Sequence, residues 1–145
     1  MFNENMSEGL AVMGWLAPAS QTVGTKTVGP FNTQLMRRVI FFVECGALGG
    51  TVDFKVQASA TQGGTYADVS GTTVTQVTTG ATNLLIVEVS ETALMSVGQG
   101  PWLKGVLTIG TGASQGSVLA LGGSPRYSPA SDYSNVAATQ TLVAN

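Results

Sequence analysis

The sequence predicts an all-β protein, a sandwich or barrel of about eight short strands. Three observations carry this. Apolar and polar residues alternate with a period of two in several runs, glycine-bearing turn signals separate the runs at roughly ten-residue spacing, and a single short stretch carries a helical pattern. Many short strands punctuated in this way favour two packed sheets or one closed sheet over a helical architecture. At 145 residues the chain fits one domain, and a chain of this size buries roughly two thirds of its unfolded surface without staples.

Taken in order, residues 1–20 hold Met, Trp15 and Leu16 with Gly and Pro punctuation but no sustained period, which reads as an extended N-terminal arm. Residues 21–123 read as the sandwich. Its strand candidates are TVGTKTV (22–28), QLMRRVIFFVEC (34–45), TVDFKVQASA (51–60), TYADV (65–69), TTVTQVT (72–78), NLLIVEVS (83–90), PWLKGVLTIG (101–110) and GSVLALG (116–122). In the third of these, Val52, Phe54, Val56 and Ala58 share one face and Asp53, Lys55, Gln57 and Ser59 the other, the pattern of a half-buried strand. Gly49-Gly50, Gly63-Gly64, Ser70-Gly71, Gly80 and the Gly110–Gly116 stretch, expected as a hairpin turn, supply residues that tolerate positive φ. ETALMSV (91–97) reads as two helical turns, with Ser90 as N-cap and Gly98 as stop. Residues 124–145, with two prolines and little period, read as an extended C-terminal arm.

Three runs break the one-sided pattern. Val39–Val43, Leu84–Val87 and Val118–Leu121 are apolar on both faces. In a small sandwich only one face of each sheet meets the core, so a second apolar face implies a subunit neighbour or a folded-back arm. The charge content points the same way. Only 10% of residues are charged, against about 25% in ordinary soluble domains, so the exterior is expected to be covered in part by copies of itself or by a partner.

The same composition argues against several chemistries. There is no histidine, which removes Ser-His-Asp and Cys-His systems and the commonest general base. One cysteine and eight scattered carboxylates have no zinc-ligand spacing, and no calcium loop is present. Glu44, Asp53, Asp68, Glu88 and Glu91 could pair as acid and base, but Glu44 and Glu88 each mark the solvent side of an otherwise apolar strand and Asp68 lies near the Ser70-Gly71 turn, where a turn-stabilising role is usual. The Gly110–Gly116 stretch lacks the lysine of a phosphate loop. No enzyme activity and no cofactor are expected. Six basic and eight acidic residues supply no positive field for nucleic acid, and no apolar run is long enough to span a bilayer as a helix. Cys45, closing the run VIFFVEC, reads as a buried structural thiol. The acidic N-terminus does not look like a secretory signal, so synthesis and assembly in the cytoplasm are expected.

Two aromatics, Trp102 and Tyr66, could form a sugar-binding platform, though packing explains them as well. Trp15, Leu16, Arg126, Tyr127 and Tyr133 lie in the two arms and are the candidate interface residues, since large amphipathic side chains make good anchors in a neighbour's groove.

The runs GALGGTVDFKVQASATQGGTYADVSGTTVTQVT, NLLIVEVS and WLKGVLTIGTGASQGSVLALGGSPRY together resemble head decoration, or cement, proteins of tailed bacteriophages. In that family a strand of the form V-x-x-K-V-Q-x-S leads through a glycine turn to a Y/F-x-D-V segment, and a later L-x-G/A-V-L-T-x-G strand closes the sheet. The similarity covers roughly residues 47–127. It implies a jelly-roll-like sandwich, commonly a homotrimer, on the outside of a capsid, where it binds the major capsid protein and fastens neighbouring coat subunits. It offers no catalytic residue to carry over. A tail or head-to-tail adaptor component is the alternative from the same class, and a carbohydrate-binding β-sandwich the alternative from another.

Overall fold

The computed structural model describes residues 6–78, 83–96, 100–127 and 129–130. Among these residues, eight strands form two four-stranded antiparallel sheets, a β-sandwich. The first sheet runs in the order β1 (Leu10–Gln21), β8 (Ser114–Pro125), β3 (Met36–Leu48), β6 (Asn83–Ser90); the second runs β2 (Gly24–Asn32), β7 (Trp102–Gly110), β4 (Thr51–Ser59), β5 (Ala67–Asp68). The chain pairs like one long hairpin rolled up: β1 with β8, β2 with β7, β3 with β6 and β4 with β5, after which β3–β8 and β4–β7 ladders close each sheet. That is the jelly-roll arrangement, as expected.

The alternating pattern decides which side of each strand goes in. Val52, Phe54, Val56 and Ala58 of β4 are all buried, as are Val39, Phe41, Val43 and Cys45 of β3. Phe31 of β2, Phe41 and Phe54 meet in the middle, with ring centroids 6.0 and 5.6 Å apart along the chain Phe31, Phe41, Phe54, tilted as aromatic quadrupoles prefer. Gly105 of β7 makes room for them, since a Cβ there would stand 3.0 Å from carbons of both Phe41 and Phe54. Burying each such side chain is worth about 1.5–3 kcal/mol.

The helix expected after Ser90 is present as α2 (Glu91–Ser96), and the Ser90 hydroxyl accepts from the Ala93 N–H at 3.2 Å, as an N-cap should. Three other expectations are corrected. Residues 10–20 are not an arm: they form most of β1, paired with β8 along its length, and a short helix, α1 (Met6–Gly9), precedes it. The sandwich therefore begins at Leu10 rather than at residue 21. Period two was hidden in β1 because two bulges interrupt it, between Val12 and Gly14 and between Leu16 and Ala19. Met13 and Gly14 both turn inward at the first.

The TTVTQVT segment is not a full strand. It runs along the open edge of β4 and bonds to it at intervals, through Val74 N–H to the Phe54 carbonyl and a reciprocal Val52–Val77 bridge. The Gly110–Gly116 stretch is not a hairpin either. β7 and β8 belong to different sheets, and residues 111–113 carry the chain across the sandwich beside Gly49-Gly50, which makes the same crossing between β3 and β4. The backbones pack so closely that a Cβ on Gly50 would lie 2.0 Å from the Gly110 carbonyl oxygen, so these glycines serve close approach.

Candidate functional site

The three runs that are apolar on both faces become β3, β6 and β8, neighbours in the first sheet. Their inward halves join the core and their outward halves line up side by side. The register places Trp15 of β1 opposite Leu119 of β8, Leu119 opposite Phe42 of β3, and Phe42 opposite Ile86 of β6. One row of large apolar side chains thus crosses the whole sheet on its outer side. Trp15, Leu119 and Ile86 are 55%, 38% and 56% exposed. A second row, Val12, Leu121 and Ile40, lies beside it and is half-buried, and Leu84, 58% exposed, extends the patch on β6.

The bulge in β1 makes this possible. With Met13 and Gly14 both inward, the phase resets and Trp15 rejoins Val12 on the outer face. Gly14 is held close to the second sheet: a Cβ there would come within 2.8 Å of Val28.

Polar groups bound the patch. At one end Arg38 pairs with Glu88 at 2.6 Å, and at the other the Ser117 hydroxyl donates to Glu44 at 3.2 Å. Beyond Glu44 the face opens into a groove of about 680 Å³, lined by Pro18, Glu44, Asn83, Leu84, Gln115 and Ser117 among others.

The outer face of the second sheet is of the opposite kind. β4 presents Asp53, Lys55 and Gln57, β2 presents Thr25 and Thr27, and β7 adds Lys104 and Thr108. The three from β4 are bonded to neighbouring side chains. Lys55 and Gln57 both donate to Asp68, at 2.9 and 2.7 Å, and Gln76 donates to Asp53 at 2.9 Å. The hydrogen bonds from Gln57 and Lys55 hold the Asp68 carboxyl below the ordinary aspartate range.

Of the interface residues expected from sequence, Trp15 stands on the apolar face. Leu16, next in chain, points inward and packs against the core. Arg126 is engaged within the chain: its side chain donates to the Gln34 carbonyl at 2.7 Å and pairs with Glu91, while its N–H bonds the Leu35 carbonyl. Tyr127 is 65% exposed, and Tyr133 lies outside the described residues. Phe42, Leu84, Ile86 and Leu119 were missed individually, although the two-sided runs that contain them were the signal.

The five carboxylates considered for acid–base work are dispersed, each with a separate partner: Ser117, Gln76, Lys55 with Gln57, Arg38, and Arg126. Among the described residues, no group of three or more His, Cys, Asp or Glu side chains is placed to hold a metal ion. Cys45 is buried, and desolvation raises its thiol pKa, which keeps it in the unreactive form. One face of the Tyr66 ring is covered by the Lys104 ammonium, 4.3 Å from the ring centroid, and Trp102 is half-buried.

No protein-family model and no curated protein matches the chain. Two solved structures of infectious bursal disease virus, of the Gt and Gx strains, contain chains similar to it with TM-scores of 0.44 and 0.40, at 15% and 16% sequence identity over 83% of this chain. This chain spans 34% of the length of each of those chains.

Proposed function

We propose that this chain is a structural component of a virion, a decoration protein that sits on the outside of a tailed-phage head and fastens neighbouring coat subunits. The observation that carries this reading is the apolar row across the first sheet. A monomer in water seldom exposes four strands' worth of aligned aromatic and aliphatic side chains, and such a face beside dispersed, individually paired carboxylates suits adhesion. The jelly-roll architecture is compatible by analogy, being one that viral capsid domains share with lectins. Both ends of the sandwich strand pair β1–β8 leave from one place, since Leu10 lies opposite Gly123. Met6–Gly9 and the pair Arg126 and Tyr127, with Tyr127 exposed, follow directly from that end of the pair and offer a contact for coat protein.

The mechanism is mass action. A protein that binds the assembled shell and not its separated subunits stabilises the shell by about 2.7 kcal/mol per site at a hundredfold excess over Kd, and a lattice multiplies that by its number of sites.

The test compares virions made with and without the gene. Particles with the chain should carry it in many copies on the head exterior by cryo-imaging, and particles without it should release their genome at a lower temperature. Density confined to the tail or neck would place it as an adaptor, and absence from purified particles would overturn the reading altogether.

A further inference from the structure

The outward side of β3 reads Arg38, Ile40, Phe42, Glu44: a cation, two apolar side chains, then an anion. This series is complementary to itself when reversed. We propose that the apolar face of the first sheet is the seat of a second copy of this chain, packed face to face about a two-fold axis that crosses the strands between Ile40 and Phe42.

That axis sets Arg38 of each copy opposite Glu44 of the other and Phe42 opposite Ile40. Because neighbouring strands keep the register, the Trp15–Leu119–Phe42–Ile86 row of one copy falls on the Val12–Leu121–Ile40–Glu88 row of the other. Large side chains meet smaller ones at Trp15 on Val12 and Phe42 on Ile40, the relief that lets two sheet faces interdigitate about 10 Å apart. Arg38, already paired with Glu88, gains Glu44 as a second acceptor. Each guanidinium then lies between two carboxylates, Glu88 of its own chain and Glu44 of the other copy, and these two charge clusters close the ends of the apolar centre.

From Arg38 to Glu44 is about 20 Å of strand and the four strands span about 15 Å, a flat footprint of about 300 Å² per partner; side-chain relief enlarges it but leaves it below the roughly 800 Å² per partner of a standard interface, so the expected dimer is weak and reversible. The dimer uses the apolar row for self-association and leaves coat contact to the residues flanking Leu10 and Gly123, so it bears on the decoration reading without depending on it. It would carry every coat-contacting element twice, so one particle could bridge two coat subunits with the gain of a linked, bivalent ligand.

Sedimentation velocity of the purified full chain tests the pairing. The expected species has twice the 14.8 kDa chain mass. Arg38→Glu and Glu44→Arg, each alone, should weaken the dimer by at least about tenfold, because each sets like charges face to face; the double variant Arg38→Glu/Glu44→Arg should restore it, having exchanged both ends. Leu119→Lys, which sets an ammonium on Leu121 of the other copy, should yield a folded monomer whose urea midpoint no longer depends on protein concentration, while Thr108→Lys on the second sheet should leave the dimer intact. A monomer at all concentrations, a trimer, or a double variant no tighter than the singles would overturn the pairing. A monomer that still bound shells would do so while leaving the decoration reading standing, and a dimer absent from virions would do the reverse.

Discussion

The two sheets are alike on the inside and opposite on the outside. β3 and β4 each send a phenylalanine and three small apolar neighbours into the core, Phe41 from one and Phe54 from the other. Outward, β4 offers Asp53, Lys55 and Gln57, whereas β3 offers Ile40 and Phe42 between Arg38 and Glu44. A strand's inward positions decide that the sandwich forms; its outward positions decide what the finished sheet meets. The second sheet's outer face is polar, with Asp53, Lys55 and Gln57 already bonded to neighbouring side chains, and the first has a surface that water solvates poorly.

The comparison is most severely tested from the inside. If the inner faces are equivalent, Phe41→Ala and Phe54→Ala should each cost about 3–5 kcal/mol, and urea midpoints should fall by similar amounts. A large inequality would mean that one sheet dominates the core. Gly105→Ala should come next, at about 1–3 kcal/mol, because its new Cβ presses on both rings at 3.0 Å; chemical denaturation of the single variant measures it.

The smallest effect belongs to the polar face. The Asp68 carboxyl titrates below its unfolded range because Gln57 and Lys55 donate to it, so its contribution to stability is present above the ordinary aspartate pKa and is lost as pH falls through the lowered value. Asp68→Asn should remove that part of the acid dependence. Stability profiles of the two proteins should converge at low pH and separate slightly toward neutrality, the difference being small because the pair is exposed. Identical profiles throughout would show that the Asp68 cluster adds nothing to folding.

How far the molecule was legible in the sequence depended on how each strand announces its period. β4, with clean alternation, was read residue for residue, and the two-sided runs of β3, β6 and β8 showed that one sheet needed a second covering. β1 was read as an arm because its Met13–Gly14 bulge places two successive residues inward and Pro18 follows in the same strand. Thr72–Thr78 was read as a strand because its alternation is good, yet its bonds to β4 are intermittent. The apolar row itself could not be seen in advance. It exists only through registers that join residue 15 to 119, 119 to 42 and 42 to 86, and alternation fixes the face a residue takes without naming the residue of a distant strand that it meets.

β8 lies between β1 and β3 and is hydrogen-bonded to both. The first sheet therefore cannot be completed on the ribosome until the residues up to Pro125 have emerged, and β1 and β3 must wait with the edges that β8 fills vacant and their oily sides uncovered. Such long-range closure is slow, and waiting chains of this kind are prone to stick to one another. Crowding many nascent copies together during a burst of synthesis would thus favour mispaired aggregates, so yield should improve when expression is slowed or cooled.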